Sequence, residues 1–393
     1  MTRHTVKALV VGGGPAGLAA AGLLAQAGVA TACLAPENSV DARTVAIMDP
    51  SLRLLRALGV WTQDLQEQCA PLQQLHIIDD TGDMVTAPDL RFRAEELGLQ
   101  AFGWNVPLAL LLPALRARAI AHGAVVLDDA LATAEISDAT VDGVTENGDH
   151  IFAEFAVAAD GRNSLLRGLA GIAAKEWSFD QSALVTRFQH SRGHNCISTE
   201  WHKRGGPFTT VPLTGNASAL VWMDRPDVTA TRAALPLSAL AREIQIQNHG
   251  SLGLVTGVSP PAVFAMRGVK AEVFAARRVY LVGEAAHVFP PVGAQGLNMS
   301  LRDVGHMLDV VMAAGDGGSE AAMDAYKARR LPDVVPRQAA ISFMNSSLLL
   351  HDVMPNLLRV AGLAAVSTLP MVRKLALREG LSPSGALPSM MVE

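Results

Sequence analysis

Cysteine is scarce in this chain. Three residues in 393, Cys33, Cys69 and Cys196, are scattered, odd in number and without a C-x-x-C pair. That pattern excludes a disulfide scaffold, offers no metal set with the histidines, and points to a reducing cytosol. Charge is sparse too: 18% of residues are Asp, Glu, Lys or Arg, the formal net charge is -5, and no basic run occurs. Nucleic acid is therefore not an expected partner. No small-residue cleavage site follows the apolar start, and no run is long enough to span a bilayer, so neither a signal peptide nor a transmembrane helix is expected. Internal repeats and low-complexity linkers are absent. What the chain has is apolar residues, half of the total. With this length they imply a globular enzyme with two domains, or one large interrupted domain.

The apolar run Val6–Val11 ends in glycines and reads as a buried parallel strand. Pro15–Ala27 reads as a tightly packed helix and Val29–Leu34 as a second strand, together one β-turn-α-β unit. Helices are expected at Ser51–Leu58, Leu108–Ala121 and Leu237–Gln247, and strands at Val125–Leu127 and Val157–Ala159. Leu75–Ile78 and Met84–Val85 are expected to pair as a hairpin. From Trp177 to Phe264 short strands alternate with turns, as in Phe208–Leu213 and Ala217–Trp222. Strand-turn-helix texture returns at Arg278–Gly283, followed by a long helix from near Gly296 to about Ala313. Beyond Ala325 the chain reads as helical. The expected fold class is α/β: a Rossmann-like nucleotide domain (1–75, 101–176 and 269–340), an inserted, mostly antiparallel β domain (76–100 and 177–268), and a C-terminal helical region (341–393).

Gly12, Gly14 and Gly17 form G-x-G-x-x-G between strand and helix, with Pro15 and Ala16 opening the helix. Gly12 permits the tight turn, Gly14 lets backbone approach a pyrophosphate, and Gly17 lets helix and sheet pack closely. The pyrophosphate then meets the exposed N–H groups at the positive helix end. An acidic residue should follow the second strand near Ala35 and hold the ribose hydroxyls. The chain offers Ala35-Pro36-Glu37, so either Glu37 reaches back or the ribose is held otherwise.

Two further motifs follow strands: Asp160-Gly161-Arg162-Asn163-Ser164 with Arg167, and Gly283-Glu284-Ala285-Ala286-His287. Downstream lies Pro290-Pro291-Val292-Gly293-Ala294-Gln295-Gly296-Leu297-Asn298. In order and approximate spacing this set resembles the flavoprotein aromatic hydroxylases related to para-hydroxybenzoate hydroxylase, over most of the chain. The physics of the last segment agrees. Stiff at its prolines and open at its glycines, it can lay backbone N–H groups against a ring system. The helix opening near Gly296 would aim its positive end at the flavin's pyrimidine edge.

The resemblance implies FAD as cofactor and NAD(P)H as co-substrate. It places Asp160 and Gly161 near the cofactor and Arg43 near the flavin. The family's usual aspartate on a ribityl hydroxyl is here Glu284, one methylene longer. Pro291 and Gly293 would shape backbone beside the flavin. His287 could relay a proton from a phenol or simply pack. The stretch Asp41–Ile47 with Leu58-Gly59-Val60-Trp61, Gly206-Pro207-Phe208 and above all Gly296–Val304 look most like the ubiquinone-biosynthesis hydroxylases. That branch acts on polyprenylated phenols. The apolar tail Leu348–Leu377 could shelter a prenyl chain, touch the inner membrane from the cytoplasmic side, contact a biosynthetic complex, form a dimer face, or pack on the core. The expected reaction is ring hydroxylation with O2 on a small aromatic substrate. The rivals are another flavin oxidoreductase on the same scaffold and a non-catalytic accessory protein. The W-x-W-x-I-P signature of flavin halogenases is absent.

Overall fold

The computed structural model describes residues 2–37, 41–290, 293–349, 353–381 and 387–392, with side chains described for all of these except 342–349, 353–359 and 379–381. Its first layer is a six-stranded sheet in the order Ala275–Ala276, Val279–Leu281, Phe155–Ala158, Ala8–Val11, Thr31–Leu34 and Val125–Leu127. All but Ala275–Ala276 run parallel. The central strands are short apolar runs buried at every position, as a sheet covered on both faces requires.

Register matters more for function than strand order. Ala158 pairs with both Val11 and Leu281, so three strands from distant parts of the chain end level with one another. The turns that follow them open at one edge, the carboxyl edge, where ligands of such sheets bind. The helix Pro15–Gln26 packs on the helices Leu108–Ala121 and Gln295–Ala313. The long helix thus begins at Gln295, one residue before the expected Gly296.

The largest sheet has eight strands on its main path: His287–Val288, Ala262–Ala271, Ala174–His190, Ala217–Asp224, Gly206–Pro212, Ile197–Lys203, Gln74–Asp79 and Leu90–Arg93. Apart from Ile197–Lys203 against Gln74–Asp79, its neighbours are antiparallel. Side chains alternate between its faces. Leu184, Phe188, Trp201, Phe208, Leu220 and Trp222 pack under the helix Leu237–Gln247, through its Leu240 and Ile244. Ala183, Met223 and Met266 form the other face with Phe289 and Ile341.

The expected hairpin needs correction. Gln74–Asp79 pairs with Leu90–Arg93, not with Met84–Val85, which forms no strand. Two apolar residues cannot bury a face, whereas Leu90 and Phe92 alternate with exposed arginines and do. Asp79 holds the intervening loop irregular by accepting from the N–H groups of Thr81 and Ala87. A four-stranded sheet, Arg3–Thr5, His150–Ala153, Val141–Thr145 and Leu131–Ile136, was not expected as a unit. It packs close to the parallel sheet: a Cβ on Gly143 would lie 2.7 Å from Leu9.

Candidate functional site

Three glycine-bearing turns meet at the carboxyl edge of the parallel sheet. In the first, Gly12 adopts φ +131°, and a Cβ there would lie 2.1 Å from the Ala159 carbonyl oxygen. A Cβ on Gly17 would lie 2.0 Å from the Gly12 carbonyl oxygen. Both are backbone contacts that cannot yield. Gly14 is the opposite case: its missing side chain would enter open space. That space is a cavity of about 420 Å³ bordered by Gly12–Gly14, Leu34, Pro36, Asp160 and Gly161. The Pro15–Gln26 helix faces it with Pro15 in its first turn, no side-chain cap and no acidic residue there. The N–H groups of that turn therefore lack partners from their own helix.

Asp160 borders the cavity but spends its carboxylate locally, accepting from Ser164 Oγ and the Leu166 N–H, which fixes the start of the helix Leu165–Leu169. Arg167 is buried and binds across motifs, donating to the Ala285 carbonyl at 2.9 Å and the Arg162 carbonyl at 3.1 Å. It stitches the second turn to the third. Gly283, at φ +60°, sits between the helices Pro15–Gln26 and Gln295–Ala313, where a Cβ would meet Ser300 at 3.0 Å and Ala16 at 3.5 Å.

Beneath the third turn lies a buried ion-pair network that the sequence reading missed. Asp303 Oδ2 accepts from the Gly283 N–H at 2.9 Å and pairs with His287 Nε2 at 2.8 Å, while Oδ1 accepts from Arg330 Nε at 2.7 Å. Burial pushes the Asp303 carboxyl up; the charges of His287 and Arg330 and the hydrogen bonds outweigh it and hold the carboxyl low. Asp333 ties Arg330 to Arg302 and Arg337. His287 is thus held as a buried partner of Asp303, its ring stacked on Phe289 at 4.9 Å.

The Gln295–Ala313 helix is also uncapped. Its N-cap, Ala294, takes φ +55°, no side chain closes the turn, and no acidic residue lies there. Gly293 is at φ +65°, and a side chain on Gly296 would meet nothing within 4 Å. Leu297 is partly buried, and Asn298 bridges segments: its Oδ1 accepts from the Met48 N–H while Nδ2 donates to the carbonyls of Ala46 and Ala294. Pro291 lies outside the described residues. Arg43 pairs with Asp41 at 2.6 Å and lies over Phe264 at 5.6 Å. The hydrogen bond to Asp41, with the charges of Asp41 and Glu284, outweighs its burial and raises its pKa. Arg43 and the exposed Glu284 are therefore electrostatic neighbours. Glu37 does not reach the cavity border; its carboxylate lies 3.8 Å from Arg116, which also donates to the Ala35 carbonyl. Cys33 and Cys69 offer no thiolate chemistry, since burial pushes both thiols up to about 12.

A parallel sheet whose strand ends carry three glycine turns, two of them bordering one cavity, with an inserted, mostly antiparallel sheet, defines the dinucleotide-binding class of oxidoreductase. The chain belongs to the family described as FAD binding domain, which residues 5–339 match. It is 31% identical over 389 residues to ubiquinone hydroxylase UbiL of Rhodospirillum rubrum, a match covering 95% of this chain and 89% of that one. To 3-demethoxyubiquinol 3-hydroxylase of Escherichia coli it is 29% identical over 395 residues, 97% of this chain and all of the other. Its fold matches that of p-nitrophenol 4-monooxygenase PnpA from Pseudomonas putida, with a TM-score of 0.75 at 19% identity over 97% of this chain and 99% of that one. The protein is an FAD-dependent monooxygenase, and NAD(P)H is the family's typical co-substrate.

The residues present fit FAD. The Gly14 cradle and the uncapped Pro15 helix suit a pyrophosphate, and the Gly293–Gly296 backbone with the second uncapped helix suits a flat ring that gains negative charge.

Proposed function

We propose that this enzyme hydroxylates the ring of a polyprenylated phenol in ubiquinone biosynthesis. The observation that carries the reading is the full-length likeness to two ubiquinone-pathway hydroxylases, on a chain whose first two glycine turns border one cradle. Gly12, Gly14, Pro15, Ala16 and Gly17 would hold the pyrophosphate of FAD. Asp160 and Gly161 would border it, Gly283 and Glu284 would face the ribityl chain, and Gly293, Gly296, Leu297 and Asn298 would shape the ring site beside Pro291. Arg43, next to Glu284, would sit at the flavin's edge. Bound there, FAD would supply hydride acceptance from NAD(P)H and activation of O2. The protein positions the phenol, excludes water and keeps the reacting atoms close.

A prenylated substrate partitions into lipid, and the chain has a feature suited to meeting it there. The helical pieces Val360–Thr368 and Pro370–Arg378 meet at 105°. Leu369, Met371 and Leu375 are exposed around that bend, with Lys374 and Arg378 nearby, while Arg373 pairs with Glu96. Apolar residues beside cations suit the interfacial layer of an anionic membrane. No single helix among the described residues is long and apolar enough to cross it. In this proposal the bend rests on the cytoplasmic surface of the inner membrane.

The decisive experiment uses full-length protein loaded with FAD. Flavin absorbance near equimolar occupancy is expected, with NAD(P)H oxidation stimulated by 2-geranylphenol and a hydroxylated ring as product. Phenol-stimulated NAD(P)H oxidation without hydroxylated product would support a different flavin oxidoreductase. Protein that stays colourless at saturating FAD would support the accessory role.

A further inference from the structure

The face of the large sheet that packs against Phe289 carries two apolar clusters. Phe289 joins the one holding Ala183, Met223 and Met266. Ala294, at the other end of the ring-site loop, joins the one holding Leu90 and Phe92. Between these clusters run the strands Gly206–Pro212 and Ile197–Lys203. Their register settles which side chains share this face. Thr209 pairs with Val221 and with Glu200, and His202 pairs with Pro207, while Trp201 and Phe208 point to the opposite core.

The strip between two apolar clusters is therefore polar. Glu200 and His202 are 7% and 1% exposed. His202 Nε2 lies 2.8 Å from Glu200 Oε1, and Thr209 Oγ1 donates to Glu200 Oε2 at 3.4 Å. His202 Nδ1 is buried and has no hydrogen-bond partner. A buried polar atom left in that state destabilises the fold. A carboxylate that receives the Nε2–H fixes the tautomer and leaves Nδ1 as a bare acceptor.

Building on the hydroxylase reading above, we propose that His202, oriented by Glu200, takes the proton of the substrate's ring hydroxyl. The phenol O–H bond breaks and an N–H bond forms at Nδ1. The electron pair left on oxygen enriches the ring for attack on oxygen supplied through the cofactor from O2. As the product regains aromaticity, the ring C–H proton goes to the second oxygen atom, which leaves as water. Nδ1 then returns its proton to the ring oxygen. Glu200 stabilises the imidazolium between these events and is a positioning residue. On the flanking strands the other titratable neighbour is Asp79, the cross-strand partner of His202, whose carboxylate is already engaged by Thr81 and Ala87. Gly206–Pro212 contributes only uncharged groups at Pro207 and Thr209.

The test compares 2-geranylphenol with its methyl ether on full-length, FAD-loaded protein, following binding through flavin absorbance and turnover through hydroxylated product. Wild type should prefer the phenol to the ether by at least about tenfold, and this preference should fade as pH falls while ether binding stays flat. His202→Gln should abolish the preference, lower kcat by about 10²–10⁴-fold and remove the acid limb of the kcat profile. Glu200→Gln should shift that limb with a smaller loss. Flavin content reports folding in both variants. His202→Gln turning over at the wild-type rate with the wild-type pH profile would overturn the proposal. So would equal affinity of wild type for phenol and ether at every pH, a result that needs no variant. If wild type hydroxylates while His202→Gln does so equally well, only this proposal fails; if wild type neither binds nor hydroxylates the phenol, the functional reading fails and takes the proposal with it.

Discussion

Two glycines in one motif answer to different constraints, and substitution separates them. Gly12→Ala drives a Cβ to 2.1 Å from a carbonyl oxygen at φ +131°, so the strand-to-helix turn cannot close and folded protein should be lost. At Gly14 a Cβ meets no atom within 4 Å, so with Gly14→Val the fold should survive while the side chain fills the cradle. Thermal melts should leave Gly14→Val near wild type, and FAD titration should show at least a 100-fold weaker Kd, on the order of 3 kcal/mol. Wild-type FAD affinity in that variant would remove the pyrophosphate from this turn. His306 carries a pH prediction. Both its ring nitrogens are buried without partners, and burial, with Arg330 nearby, pushes it down to about 4. Its folded value lies below the ordinary 6.5, so the unfolded chain binds the extra proton first. Its contribution to stability is complete above about pH 6.5 and lost as pH falls toward 4, by on the order of 3 kcal/mol. Urea melts of His306→Leu should lack that component of acid destabilisation. At this scale the glycines were legible, because each answers to a local turn. Arg167 and Asp303 were not: their partners Ala285 and Arg330 lie far along the chain, and only the folded register brings them together.

Elements with complete local signals matched the sequence reading closely. Leu108–Ala121 and Leu237–Gln247 form helices with the bounds read from their apolar pattern. The sheet of residues 131–153 was missed as a unit because its strands alternate weakly and owe their order to packing on Leu9 and its neighbours. Glu37 illustrates the same limit: spacing put the expected acid near Ala35, and the cation beside Glu37, Arg116, comes from a distant helix. The Gln295–Ala313 helix shows how one element can serve both stability and the cofactor. Its Asp303 holds Gly283 and His287 and neutralises Arg330, which is fully buried. Asp303→Ala leaves that guanidinium with one carboxylate fewer. Denaturant melts should show a loss of about 3–5 kcal/mol, as for other broken buried pairs. Restoring FAD should recover part of that loss if the Gly283 turn contacts the cofactor, since a ligand bound only by the folded state stabilises it.

For the whole molecule, the interrupted arrangement was readable from the return of strand-turn-helix texture at Arg278–Gly283; the exact membership of Gln74–Arg93 in the large sheet was not, because its parallel pairing with Ile197–Lys203 leaves no local mark. The membrane reading is tested at this scale. Met371→Glu with Leu375→Glu should lower co-sedimentation with anionic vesicles at least fivefold and leave flavin content and turnover of detergent-dispersed 2-geranylphenol unchanged. Equal sedimentation of this variant and wild type would rule out the bend as the contact.

The level ending of three strands carries a consequence for how the protein is made. The proposed cofactor site draws on the turns at Gly12, Asp160 and Gly283, and the last lies beyond two thirds of the 393 residues. A nascent chain still on the ribosome has the first glycine turn early but cannot enclose the cofactor until the third has emerged and docked beside the other two. Closure of the flavin site is therefore a late event in the making of the protein, its first turn waiting through most of synthesis for the closing piece.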